Sequence, residues 1–400
     1  MIKVLILGGG VGQLDFIRYC VSQNCEVHIL DGSATTLSRK IESPNVFHHL
    51  VDIKDTTLTL ATAIRINPHC VIAPSNDAGI ISAARIAEHL ELAGPGVNAA
   101  ELSRNKFRLR ELTSAAGILS PWFIKIDMSQ ELSTQINQVN SFPCVVKPVA
   151  GSGSKGVLFV RDKNELVNSL HKSCKDSGES EILVEEFVEG TEYSLEGLVQ
   201  ERKLYVMGIC KKTRSDLPYL LDTEVMFPSG LSDTQVSASV ELATKVSAIL
   251  QVEDAPIHME YILNSEGKLF LVECAVRAAG FDLFSKLISW CIGINTSSQQ
   301  LELVLNKPIT APSKSNQKSG ILKFPQIRSD GHITSITFDK RILQQNAEVY
   351  LDVVLLKNIG DFVRPAQSGS DRVGYFLIFG RNNQQVRDLD KQLNFQVEVS

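Results

Sequence analysis

The stretch His258-Met-Glu260-Tyr-Ile-Leu-Asn-Ser-Glu-Gly267-Lys-Leu-Phe-Leu-Val-Glu273-Cys-Ala-Val-Arg277 carries two acids, Glu260 and Glu273, on either side of a short turn. Both flanks are rich in Ile, Leu, Val, Phe and Tyr, and Asn-Ser-Glu-Gly supplies turn chemistry, so the segment reads as a β-hairpin. A two-residue loop at Ser265-Glu266 sets Asn264 against Gly267, His258 against Glu273 and Glu260 against Leu271. Side chains alternate faces along a strand, so Glu260 and Glu273 are then diagonal neighbours on one face, with Arg277 further along it. Two carboxylates on one apolar hairpin repel each other unless a cation joins them. Hard oxygen ligands suit Mg²⁺, which uses few protein carboxylates and completes its shell with phosphate oxygens and water. An edge hairpin with solvated acids is the plainer alternative, and the rest of the chain argues against it.

Four hundred residues exceed what a single core organises, so two or three domains are expected. A net charge of −5 with 21% charged residues gives no nucleic-acid or membrane-surface signature. The opening Met-Ile-Lys-Val-Leu-Ile-Leu-Gly reads as a buried strand entering a glycine turn, not as a signal peptide. No apolar run is long enough to span a bilayer. The eight cysteines form no Cys-x-x-Cys pair and read as reduced core residues of a cytoplasmic protein.

The first third alternates strand and helix: Val4–Leu7, a glycine turn at Gly8–Gln13 with a helix to about Ser22, and Val27–Leu30 ending at Asp31. A further strand, Cys70–Ala73, leads through Pro74-Ser75-Asn76-Asp77 to a helix ending near Leu90. This rhythm implies a doubly wound parallel sheet with ligands at the carboxyl ends of its strands. Gly8-x-Gly10-x-Gly12 followed by Asp31 tempts a dinucleotide reading. The last glycine is one residue early, however, so a plain strand-to-helix turn is preferred. Asp77 is either a substrate contact or the N-cap of its helix.

A second signal is Phe142-Pro-Cys-Val-Val-Lys147-Pro-Val-Ala-Gly151-Ser152-Gly153-Ser154-Lys155-Gly156-Val157. A β-branched strand delivers Lys147, and a loop without bulky side chains follows, free to close its N–H groups over phosphate oxygens. No Gly-Lys-Ser/Thr ends it, so it is not a Walker A loop. Beyond it, Ile182-Leu-Val-Glu185-Glu-Phe-Val188-Glu-Gly-Thr-Glu192-Tyr-Ser runs from an apolar strand through an acidic hinge into another strand. Ala311–Ser319 is polar and breaker-rich and reads as a linker.

In this order, the segments resemble the ATP-grasp superfamily, in the branch of carbamoyl-phosphate-synthase-like and amino-acid ligases that join a carboxylate to an amine. The resemblance covers nearly the whole chain and includes Ser103-Arg-Asn-Lys106, Lys211-Lys-Thr and Pro218-Tyr219. It implies an α/β and α+β chain of three parts: a pre-ATP-grasp domain (1–100), a two-lobed ATP-grasp domain (101–310) and a small β-rich C-terminal domain (311–400). By resemblance, Lys106 and Lys147 hold ATP phosphates beneath the loop of Ser152, Gly153, Ser154 and Gly156. Glu185 and Val188 meet adenine through backbone groups, and Glu192 lies near the ribose. Glu260 and Glu273 bind one or two Mg²⁺ ions, with Mn²⁺ as a substitute, and Arg277 approaches the γ-phosphate and the acyl phosphate. Lys147 and Arg277 are the expected catalytic pair.

Departures shape the expectation. Relatives carry Glu-x-Asn-x-Arg at the second acid, where this chain has Glu273-Cys-Ala275-Val-Arg277, so an oxygen ligand for a second metal is gone. Relatives also place Glu-Thr-Gly-His after Pro-Tyr, where this chain has Asp222-Thr-Glu224-Val225, which implies a different substrate pocket. Tyr219, Gly280 and Asp282 are candidates for the acceptor side, with an ordinary half-buried tyrosine as the preferred alternative for Tyr219 and a helix N-cap as the alternative for Asp282. The expected activity is amide-bond formation through an acyl phosphate on small carboxylate and amine substrates, with a homodimer contact from the C-terminal part. A carboxyphosphate-forming carboxylase, a non-catalytic nucleotide-binding regulator and an NAD oxidoreductase are the rivals.

Overall fold

Hydrophobic residues fill every position from Val4 to Leu7, and their alternate side chains enter two separate cores. A computed structural model describes residues 1–313, 318–339 and 350–400, so 314–317 of the expected linker and 340–349 of the C-terminal part lie outside the described residues. Strands β1 (Lys3–Leu7), β2 (Glu26–Asp31), β3 (Val46–Leu50) and β4 (Cys70–Ile72) form a parallel sheet in the order β3-β2-β1-β4. Val4 and Ile6 pack with Phe16 and Ile17 of helix Leu14–Ser22 and with Leu301 and Val304 of helix Thr296–Val304. Leu5 and Leu7 face the other way, among Ala63 and Ile66 of helix Thr56–Ile66 and Ala83 and Ile86 of helix Ile80–His89. Helices therefore cover both faces, which is the doubly wound arrangement. The helix at 296–304 comes from far along the chain and clamps the later part onto this sheet.

The glycine turn after β1 is structural. The Gly9 N–H donates to Asp31 Oδ2 at 2.8 Å, and a Cβ at Gly9 would stand only 2.2 Å from Ser38 Oγ. The side chains of Ser38 and Thr36 fill the space beside the turn.

A smaller lobe follows. Strands β5 (Phe123–Asp127), β6 (Cys144–Pro148), β7 (Leu158–Val160) and β8 (Glu181–Glu186) pair antiparallel in the order β5-β8-β6-β7. Leu166 and Leu170 of helix Lys163–Ser177 cover one face against Val146 and Val184. Asp162 caps that helix by accepting from the N–H groups of Asn164 and Glu165, and Gly178 ends it at φ +79°.

The largest layer is built from β9 (Thr191–Gln200), β10 (Lys203–Arg214), β11 (Asp222–Phe227), β12 (Ala255–Leu263), β13 (Leu269–Ala275) and β14 (Ser319–Lys323). Beyond β15 (Gly331–Thr337) come β16 (Tyr350–Leu355), β17 (Phe362–Val363), β18 (Gly374–Gly380) and β19 (Gln396–Val399). One eight-stranded sheet runs in the order β13-β12-β9-β10-β11-β14-β18-β16. C-terminal strands thus prolong the central sheet across the expected boundary at 310/311, while β17, β15 and β19 make a separate small sheet. The eight cysteines are free, seven of them buried and Cys174 half-buried. Among the described residues, no helix is long and apolar enough to cross a membrane.

Candidate active site

The acidic hairpin closes differently from expectation. Asn264 and Lys268 flank a three-residue loop, with Gly267 at φ +77° supplying its left-handed position. Leu263 therefore faces Leu269 and Tyr261 faces Leu271, one residue off the expected register. That slip alone would put the two acids on opposite faces. A second irregularity between Tyr261 and Glu260 restores them, so that Glu260 pairs directly with Glu273. Val272 is the extra residue of this bulge, and its carbonyl accepts from Arg110 Nη2 at 2.9 Å. The acids share a face, as expected, but as direct cross-strand partners.

Both acids line a cavity of about 350 Å³ between the lobes. Lys106 opens helix Lys106–Ala115, whose N-cap Asn105 accepts from the Arg108 N–H. Its ammonium donates to the Gly151 carbonyl at 3.0 Å and lies 3.3 Å from Glu273 Oε2. One helical turn on, Arg110 reaches Glu185 through Nε at 3.0 Å, and Lys147 from β6 pairs with the same carboxylate. Burial draws the Lys147 ammonium down to about 8 against the pull of Glu185. Burial raises the Glu185 carboxyl, but Arg110 and Lys147 outweigh it and hold the group at about 2.

On the opposite wall, Lys212 of β10 pairs with Glu260, with Glu192 at 2.9 Å and with Asp222 at 2.9 Å. His258 bridges Glu196 at 2.7 Å and Glu260 at 3.0 Å. Although burial raises it, the Glu260 carboxyl is held well below the usual range by Lys212 and His258. Arg277 donates to Asp77 at 2.9 Å, and Arg104 lies 3.3 Å from the same carboxylate. These cations bring Asp77 to about 2 in spite of its burial.

The structure thus gathers Lys106, Lys147, Ser152, Gly153, Ser154, Glu185, Val188, Glu192, Glu260, Glu273, Arg277, Asp77 and Gly280 around one cavity. Several of them have surroundings other than those expected. Asp77 is the counter-ion of Arg277, and it is not an N-cap, because its helix starts at Ile80 after Gly79. Glu185 lies within the ladder, in register with Phe123 and Val145, and its side chain serves the buried cations. Glu192 faces Lys212 and Arg214.

Gly156 does not line the cavity. It packs on the helix at 163–177, where a Cβ would meet the Ser173 carbonyl at 2.9 Å. Tyr219 also lies outside, with Lys172 over its ring at 5.9 Å. Asp282 is turned away from the cavity, accepting from Tyr375 Oη at 2.8 Å and pairing with Lys286 at 2.9 Å. It holds an N-cap position at φ +58° but makes no capping bond. Gly280 does line the cavity, and a Cβ there would meet nothing within 4 Å.

Sequence reasoning passed over Arg110, Asp222, His258 and Arg372 as cavity residues. Arg110 was within reach, since it lies four residues after Lys106 on the same helix face. Asp222 and His258 stood in segments already singled out, but their partners Lys212 and Glu196 are distant in sequence.

The donor set suits a hard divalent cation. Two carboxylates face each other across a strand pair, and among the described residues no group of three or more His, Cys, Asp or Glu forms a metal cage. Such a pair is what Mg²⁺ takes when phosphate and water complete its shell.

Residues 140–284, which hold most of this two-lobed cleft, match the ATP-grasp domain family. Over longer stretches the chain is similar to amino-acid ligases. It is 22% identical over 403 residues to the L-arginine-specific L-amino acid ligase of Bacillus subtilis, covering 96% of this chain and 95% of that one. It is 26% identical over 240 residues to the alanine–anticapsin ligase of Bacillus subtilis, covering 54% and 50% respectively. Among solved structures, the L-amino acid ligase from Bacillus licheniformis superposes with a TM-score of 0.83 at 20% identity, over 100% of this chain and 99% of that one. The chain spans about half the length of the first curated relatives it matches.

Proposed function

We propose that the protein is an ATP-dependent carboxylate–amine ligase that forms an amide bond through an acyl phosphate and releases ADP and phosphate. The observation that carries this reading is the convergence of Lys106, Lys147, the loop at 151–155, the acid pair and Arg277 on one cavity. A carboxylate is a poor electrophile because oxide is a hopeless leaving group. Phosphorylation converts that oxygen into a phosphate leaving group, which an amine can displace.

Phosphoryl transfer asks mainly for positioning and charge neutralisation. Lys106 and Lys147 bring two ammonium groups to the side where the loop backbone can close over phosphate oxygens. Glu260 and Glu273 would hold Mg²⁺, or Mn²⁺, whose chemistry is to neutralise phosphate charge. They would exchange their pairs with Lys212 and Lys106 for the ion, leaving Lys106 free to meet a phosphate. Arg277, fixed by Asp77, would stabilise charge on the transferred group and on the tetrahedral species formed by amine attack. An acyl phosphate must be kept from water, and the loop at Ser152–Gly156 is suited to cover it. The adenine is assigned to the hinge near Val188, and Gly280 leaves room for the reacting carboxylate.

The test is ATP-dependent phosphate release with purified protein, Mg²⁺ and pairs of amino acids, against a bicarbonate-only control. Release that needs both a carboxylate and an amine is expected. Release with bicarbonate alone would replace this reading with a carboxylase. In the same assay Gly280→Val should raise KM for the carboxylate or amine by about 10- to 200-fold while leaving ATP affinity unchanged. Unchanged KM would remove Gly280 from the substrate pocket.

A further inference from the structure

Six cations lining the cavity face carboxylates: Lys106, Arg110, Lys147, Lys212, Arg214 and Arg277. Lys155 is exposed on the loop. The remaining one, Arg372, is 7% exposed, and among the described residues it makes no ion pair. Its guanidinium carbon stands 3.3 Å from the centre of the Phe324 ring and 4.8 Å from that of Phe281. Its one hydrogen bond among the described residues runs from Nη2 to the Asp222 carbonyl at 2.8 Å, while the Asp222 carboxylate is committed to Lys212. Two aromatic rings set at 81° to each other and one carbonyl hold the guanidinium, and among the described residues most of its five donors are unspent.

A buried charge without a partner is costly, and cavities that keep one commonly present it to a ligand. The wall beside it is apolar, including Leu322 and Val225. A planar guanidinium with free donors matches a carboxylate in bidentate geometry. It does not suit the carboxylate that is to be activated, because a guanidinium engages the oxygen lone pairs and blunts their attack on phosphorus. It suits a carboxylate carried through the reaction unchanged.

We propose that Arg372 anchors the free carboxylate of the amine substrate, so that the acceptor is an amino acid with an apolar body and the product keeps its C-terminal carboxylate. This rests on the ligase reading for its chemistry and on Arg372 alone for its recognition. The segment that carries it also touches the phosphate-side loop: the Gly369 N–H donates to the Gly153 carbonyl at 2.8 Å, three residues before Arg372. An anion on Arg372 would therefore steady the cover over the nucleotide.

The experiment is equilibrium binding of L-amino acids with apolar side chains, and of their carboxamides, to the full-length protein with ADP and Mg²⁺. It is run on wild type, Arg372→Met and Arg372→Lys, with ADP affinity measured alongside. Wild type should bind an amino acid roughly 10- to 100-fold more tightly than its amide. Arg372→Met should lose that preference with ADP affinity intact, and Arg372→Lys should restore part of it. Equal binding of acid and amide by wild type, a preference that survives in Arg372→Met, or no amino-acid binding at all would each overturn the proposal. If Arg372→Met fails to bind ADP, the lysine variant decides, since an acid preference reduced below that of wild type with ADP bound supports the anchor and full retention rejects it. Phosphate release is scored separately. Amino-acid binding through Arg372 without turnover sinks the ligase reading alone, and turnover with discrimination unchanged in the variants sinks the anchor alone.

Discussion

Glu273→Gln is expected to lower kcat by at least on the order of 10²–10³-fold while leaving the protein folded. The separation follows from where the charge sits. Among the described residues Glu273 has one ion-pair partner, Lys106 at 3.3 Å, and a quarter of its side chain is open to solvent at 25%. A pair that exposed contributes about 1 kcal/mol at most, which moves a melting temperature by a few degrees. Its cross-strand position opposite Glu260 gives it a different weight in turnover. The amide keeps the shape but loses the charge that would hold the divalent ion, so ATP turnover should collapse and titration with Mg²⁺ should need far higher concentrations. Turnover near that of wild type would show that another acid does this work. Glu260→Gln is a poorer test because its carboxylate also holds Lys212 and His258, and loss of activity there would be mixed with damage to the fold.

The second large effect is on stability. Glu185→Gln should destabilise the nucleotide-free protein by about 3–5 kcal/mol at pH 7, because it strands the charges of Arg110 and Lys147 in the interior. The Glu185 and Arg110 side chains are only 8% and 2% exposed, so water screens little of this loss. The pH dependence gives the sign. Glu185 falls from an ordinary 4.5 to about 2 on folding. Its contribution is therefore fully present above about 4.5 and lost as pH falls through about 2. Urea unfolding of wild type and variant should show a gap that is wide at pH 7 and narrows below pH 4.5. A constant gap across that range would mean that the loss comes from packing and not from charge.

The sequence displayed the elements better than it displayed their partners. The parallel sheet, the loop after Lys147 and the acidic hairpin were legible because each is written in local alternation and turn chemistry. The hairpin register was not. Asn-Ser-Glu-Gly is compatible with a two- or a three-residue loop, and nothing in Leu-Phe-Leu-Val-Glu marks Val272 as the residue that steps out. Two one-residue differences cancelled, so the shared face was read correctly from a register that was wrong.

Asp77 was seen as either a substrate contact or a cap because its partner, Arg277, lies 200 residues away. Tyr219 and Asp282 stood at suggestive places in the chain, but the direction of a loop side chain is set by tertiary packing. Arg372 carried no signal of its own, because its surroundings depend on Phe281 and Phe324 arriving from other segments.

The bulge at Val272 also bears on how this chain can drift over evolutionary time. Glu273 lies thirteen positions after Glu260, and the wide loop together with the extra residue makes that odd interval correct. Losing or gaining one codon anywhere between the acids would turn one of them out of the cleft, whatever the new residue is. A descendant can therefore lengthen or shorten this hairpin only by an even number of residues, such as one change in the loop matched by one in the strand. Point substitutions at Ser265 or Glu266 escape that constraint. The spacing of the acids is thus inherited as a parity, and related sequences should vary in letters there long before they vary in length.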